Sequence, residues 1–428
     1  MTQPPRPAPT RRRALATFGA AGAAVLLGDV ARMAHAQGAG PLKLGFQVHR
    51  TGIGAAYGRW YERVATAAVA RINDAGGIAG RQVRMIAEDD GTDPRRGAEV
   101  LDRFANLHGT DLVFGPLFSN VVIGSAPRAA ELKMPYFVVS EGHHVASGTL
   151  NRYTLQPGIT DVKSQVRSVA PYVAANIGRK VTMIFPDFAF GHDHREFFTD
   201  AIAAQGGEVI AQIPVPPTET SFTRYFPRIP RETEVLYHVM VGPAVLTFVR
   251  EMGEFFGGRG PALFGFIDSL EAVDIASPGL EFLEGSHLWE GMPRFAQPDQ
   301  TGHDARYRAA VGVDDAGAAL DDPRDVSTYA HMFGVWETLS VIKAGMETAG
   351  YRGPSDRPAL IEAVEAMTDM PLSDDHPQGD KLFNGRTHQV FGRQSISRVE
   401  GGRLIRVHET SIEDTLYEDE VDYTTRPF

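Results

Sequence analysis

Apolar segments of strand length alternate with helical stretches of about ten to fifteen residues, twice over, and this restricts the fold more than any other feature. In the first block, LKLGFQV (42–48) reads as a strand and leads into the glycine-rich HRTGIGAAYG. A helix follows, with Tyr57, Tyr61, Val64, Ala65, Ala68 and Ile72 at spacings of three and four on one face. It stops at Gly76-Gly77, because glycine tolerates the left-handed conformation that ends helices. The strand RQVRMIAED, a helix opened by Thr92-Asp93-Pro94 and running to about His108, the strand DLVFG, the helix SNVVIGSAPRAAEL interrupted by Pro127, and the strand PYFVVSE complete the block. Beyond a polar stretch around Gln156 to Thr160, the strands KVTMIFPD, EVIAQIPV, EVLYHVMV and ALFGFID alternate with the helices REFFTDAIAAQGG and AVLTFVREMGEFFGG. Helical segments near Ala305–Val311 and Thr328–Ala349 come last. The pattern predicts an α/β fold of parallel sheets covered by helices on both faces, with ligands at the carboxyl ends of the strands.

Residues 1–36 stand apart. Arg11-Arg12-Arg13 precede a weakly apolar Ala/Gly/Leu stretch to Leu27, and Ala34-His35-Ala36 has the small-x-small form of a cleavage site. This reads as an export signal, too short and glycine-rich to stay as a membrane span; the alternative is a disordered basic tail. The paired arginines resemble a twin-arginine signal, although Ala14 stands where that pattern has Phe. Losing the segment removes five arginines and one aspartate and takes the formal charge from −11 to −15. So acidic a chain lacks the basic face that nucleic acid requires. Cysteine is absent, which excludes disulfides, thiolate metal sites, thiol nucleophiles and a lipid-anchored cysteine at the cleavage site.

The stretch INDAGGIAGRQVRMIAEDDGTDP (72–94) resembles the "IN-GGI-G--v-l---D---dP" signature of periplasmic binding proteins of the branched-chain amino acid type. DLVFGPLFSN, PYFVVSEG, IFPDFAFGHD and LFGFID follow in that family's order, so the resemblance spans about Pro41 to Leu404. It implies a type I periplasmic binding protein: two Rossmann-like lobes with parallel sheets, joined by three crossovers and closing on a ligand. Lobe I is expected at 41–158 plus 291–378 and lobe II at 159–290 plus 379–428. The implied function is that of an extracytoplasmic solute receptor, periplasmic and monomeric, which hands an amino acid or related carboxylate to an ABC permease in the inner membrane. No cofactor, metal or catalytic residue is implied. A sensor of the same fold for aromatic or aliphatic carboxylates, amides or urea-like compounds is the alternative.

The resemblance also places ligand residues. Ser119 falls where the family bonds a ligand carboxylate, as a hydroxyl beside helix N-terminal N–H groups favours an anion; capping its helix is the bland alternative. Gly142 matches a position of close backbone approach. His144 replaces a usual threonine, and either donates to a carboxylate or sits on the rim in water. Glu141 neutralises a basic ligand group or pairs with His144. Phe190 replaces a ligand-covering tyrosine, or faces the core. Tyr57 matches an aromatic at the cleft's near edge, and equally fits its helix's apolar face. Asp268 matches the acid set against a ligand ammonium, or caps the next helix. Met240 and Val241 occupy a stretch where a tyrosine is expected.

A remote alternative is a metal-dependent enzyme using His143, His144 and Glu141, or His192, Asp193 and His194. Zinc needs three or four groups aimed at one point, whereas adjacent strand histidines face opposite ways and the His192 group starts a solvated helix. Ser119 lacks a nucleophile-elbow pattern, and RTGIGAAYG lacks the lysine of a P-loop. The acidic EDTLYEDEVDY (413–423) reads as a solvated edge segment.

Overall fold

The computed structural model describes residues 40–266, 275–276, 278–326 and 329–428. The export signal and Asp268 therefore lie outside the described residues. The first sheet is parallel throughout, in the order β2-β1-β3-β4-β5, with β1 Leu42–Val48, β2 Val83–Asp89, β3 Leu112–Phe114, β4 Tyr136–Phe137 and β5 Thr154–Leu155. The helices α1 (Ala55–Asp74), α2 (Pro94–Asp102, with π-helical turns to His108) and α3 (Ser119–Glu131) connect its strands. The second sheet repeats the winding with β6 Lys180–Pro186, β7 Glu208–Val215, β8 Val235–His238, β9 Ala262–Phe266 and β10 His287–Glu290. Helices α4 (Val162–Asn176), α5 (Ala189–Ala204) and α6 (Val245–Phe256) belong to this half.

The chain then returns through α7 (Gly302–Val311), α8 (Tyr329–Ala349) and α9 (Arg357–Glu365). A small antiparallel sheet follows, of β11 Asp369–Met370, β12 Lys381–Asn384 and β13 Gln389–Gly392. Phe383 and Val390 share the first sheet's core. Finally β14 (Ser395–Glu400) adds antiparallel to β10 and β15 (Arg403–Glu409) antiparallel to β14, giving β15-β14-β10-β9-β8-β6-β7.

In the first half two features depart from the sequence reading. Pro127 does not interrupt its helix: α3 runs through it, because Val122, Ala126 and Ala129 are fully buried and packing outweighs one lost hydrogen bond. PYFVVSE supplies only two ladder residues, since beyond Phe137 the Val139 N–H bonds the Pro116 carbonyl (3.0 Å).

Both halves use one device to bring a helix onto a strand end. A Cβ on Gly58 of α1 would lie 2.0 Å from the His49 carbonyl, and one on Gly191 of α5 would lie 1.9 Å from the Pro186 carbonyl. Only glycine permits that approach.

The acidic tail is not a solvated edge. After the short α10 (Ile412–Thr415), Tyr417 Oη donates to Asp161 (2.7 Å) beside α4. Six residues on, the fully buried Tyr423 donates to the Val145 carbonyl (2.6 Å) and stacks on His388 (4.5 Å). Glu420 reaches His143 (3.1 Å) and Lys163, the other acids lie at or near the surface, and the tyrosines tie the strap to both halves.

Candidate functional site

Each sheet has a switch point, between β1 and β3 and between β6 and β8, where loops leave in opposite directions and ligands bind. The two switch points face each other across a cavity of about 320 Å³. The first half lines it with Tyr57, Leu117, Phe118, Ser119 and Glu141, the second with Phe188, Phe190 and Val241. The halves touch at its edge, where the Phe118 and Phe188 rings lie 6.2 Å apart.

The loop after β3 is fixed by His49. Its Nδ1 bonds Asp90 (2.6 Å) and its Nε2 accepts the Leu117 N–H (3.0 Å), so Nδ1 carries the proton. That loop delivers Ser119 as the first residue of α3. Ser119 does not cap the helix: Phe118 is the N-cap, without a side-chain bond. The buried Ser119 hydroxyl instead lies 3.4 Å from Ser140 Oγ and lines the cavity. A Cβ on Gly142 would sit 2.7 Å from Ser119 Oγ and from His144 Cδ2, so glycine there leaves room for the hydroxyl.

Tyr57 is buried on α1 and also lines the cavity. Phe190 also lines the cavity, backed by His194 (4.5 Å) and Phe266 (6.2 Å). Val241 occupies the wall near the expected tyrosine. Gly142 and His144 stand behind Ser119 rather than in the wall. His144 faces Asp193 at 3.6 Å, and burial, helped by the charge of His143, lowers its pKa to about 4.

Glu141 does not pair with His144. Its Oε2 meets His331 Nε2 of α8 (2.9 Å), and its Oε1 accepts from Gln165 Nε2 of α4 (2.5 Å). Gln165 Oε1 accepts the Trp289 indole N–H (3.2 Å). The sequence reading missed His331, Gln165 and Trp289. No motif marks them, because they come from three separated elements.

The histidines suspected of metal binding serve other ends. His143 lies in a turn, bonded to Asp161 (2.5 Å) and 3.1 Å from Glu420. Burial opposes its charge, but the two carboxylates prevail and raise its pKa. His192 pairs with Asp187 at the surface, whereas His194, expected in water, is fully buried and bonds Tyr237 Oη (2.7 Å). Among the described residues no group of three ligands converges on a metal position.

A double α/β winding with facing switch points and a cavity between them defines a two-lobed binding protein. The chain belongs to the periplasmic binding protein family, whose model matches residues 41–403. A Leu/Ile/Val-binding protein of Rhizobium johnstonii is 24% identical over 386 residues, covering 88% of this chain and 95% of the relative. Two solved structures share the fold. An ABC-transporter solute-binding protein of Rhodopseudomonas palustris in complex with p-hydroxybenzoic acid has a TM-score of 0.75 at 18% identity, covering 87% of this chain and 97% of its own. A branched-chain amino acid binding protein of Streptococcus pneumoniae in complex with isoleucine has a TM-score of 0.69 at 15% identity, covering 87% and 99%. The chain is a solute receptor of the ABC-importer type, in a family that binds small ligands outside the cytoplasm and works with a permease. Among the described residues no helix is long and apolar enough to cross a membrane.

Proposed function

We propose that the cavity captures a small carboxylate with an apolar body, aromatic or branched aliphatic. The observation that carries this is the pairing, in one cavity, of Ser119 at the first turn of α3 with the rings of Tyr57, Phe118, Phe188 and Phe190. The helix start and hydroxyl favour an anion, and the rings cover its body. The names of the relatives, one Leu/Ile/Val-binding and one holding p-hydroxybenzoic acid, support the same range.

Binding bridges two lobes and stabilises the closed form. We take them as 41–158 plus 291–378 and 159–290 plus 379–428. The packing of Phe383, Val390 and Tyr423 supports moving β12, β13 and residues 421–428 to the first. The mature chain starts after residue 36, carries no lipid anchor, acts as a monomer and performs no catalysis. Gly142 and His144 act through Ser119 in this reading, and Asp268 supplies a counter-charge to a ligand ammonium.

A thermal-shift screen of refolded mature protein tests this with amino acids, their deaminated acids, aromatic carboxylates and amides. A ligand at 100 times its dissociation constant adds about 2.7 kcal/mol, a visible shift. Shifts confined to ligands without a carboxylate would overturn the reading.

A further inference from the structure

Glu141 is a buried carboxylate in the wall of a cavity whose described lining contains neither lysine nor arginine. Two of its partners come from different parts of the chain. His331 of α8, with its ring edge-on to Phe266 (5.2 Å) and Tyr57 (6.5 Å), meets one oxygen. Gln165 of α4 meets the other, and is itself fixed by the Thr160 carbonyl (2.9 Å) and the Trp289 indole. An acid so anchored presents acceptors to the cavity at a set position. Ser119 and the α3 start present donors in the same space.

We infer that Glu141, positioned by His331 and Gln165, is a specificity residue that selects ligands bearing a hydrogen-bond donor, a hydroxyl or an ammonium, in addition to their carboxylate. The inference rests on the carboxylate reading above and deepens it. Every carboxylate ligand brings a second negative charge beside Glu141, and one with no donor also leaves that acid facing an apolar atom. Both are costly where the described lining holds no lysine or arginine, and a donor removes the second cost. A donor turns the same encounter into a charge-assisted hydrogen bond.

Titration calorimetry on the mature protein with two ligand pairs, 4-hydroxybenzoate against benzoate and L-leucine against 4-methylpentanoate, tests this. In at least one pair the donor-bearing member should bind about tenfold tighter or more, as a hydrogen bond to a charged group implies. The pair that responds tells hydroxyl from ammonium. Glu141→Gln should cut that advantage to roughly threefold or less, with tenfold again the mark of one charged hydrogen bond. Equal affinities within both pairs in the wild type overturn the inference alone, whether or not the variant folds. An advantage that survives in a folded Glu141→Gln assigns the donor's partner elsewhere and also overturns it. If none of the four binds, the carboxylate reading fails and takes the inference with it.

Discussion

The two halves of the molecule are wound alike and equipped differently. Each packs the helix after its first strand onto that strand's end at a glycine, Gly58 in one and Gly191 in the other. Yet the first half brings Ser119 and Glu141 to the cavity, while the second brings Phe188, Phe190 and Val241. One half grips and the other covers. The backbone device belongs to the fold, and the division of labour belongs to the few residues that follow it.

The largest effect is expected where the halves are joined. Lys381 Nζ is buried against Glu337 of α8 and donates to the Gly158 carbonyl (2.8 Å) in the first crossing between sheets. Gln378, three residues earlier, donates to the Gly291 carbonyl (2.6 Å) in the second. Lys381→Met strands a buried carboxylate and should cost about 3–5 kcal/mol in urea unfolding. Lys381→Met with Glu337→Leu should recover most of it. A single mutant as stable as wild type would mean that the crossings do not depend on this pair.

The grip and the cover come next. Ser119→Ala should weaken carboxylate ligands by about tenfold or more in calorimetry, through the lost charged hydrogen bond. Uncharged amide analogues should suffer less. Phe190→Ala should weaken acids and amides alike, by up to the roughly 1.5–3 kcal/mol of a buried apolar side chain. If both variants discriminated between headgroups equally, the contrast between the halves would fail.

The smallest effect is in pH. The second half's core holds His194 and His238, whose pKa values burial lowers to about 3 and about 4 from 6.5. Between pH 6.5 and those values the unfolded chain takes up protons that the folded one refuses, so stability falls as pH falls through this window. His143 has the opposite sign. Its raised pKa contributes stability that is fully present below the unfolded value and is lost as pH rises through the folded one. In calorimetric melts from pH 7.5 to about 4.5, His194→Asn should flatten the decline on acidification below pH 6.5, whereas His143→Asn should steepen the decline on acidification above it. Parallel profiles for both variants would contradict these assignments.

The sequence by itself determined the alternation of strands and helices, the helix stop at Gly76-Gly77, and the positions of Tyr57, Ser119 and Phe190. The first two rest on periodicity and turn chemistry, local along the chain, and the three site residues on the resemblance to a family whose loops follow in the same order. The structure decided the rest. Glu141 was visible as an acid after a strand, but its partner is His331, some 190 residues away, rather than the nearby His144. His194 was expected in water from its polar neighbours, and packing against Phe190 and Tyr237 buried it. The tail looked like solvated acid until Tyr417 and Tyr423 were seen to tie it to both halves. In each case the outcome depends on which distant side chain arrives opposite, and pairings between elements leave no period in the sequence. Local order follows from each residue's neighbours in the chain, whereas a binding site is made where elements far apart in sequence are packed together.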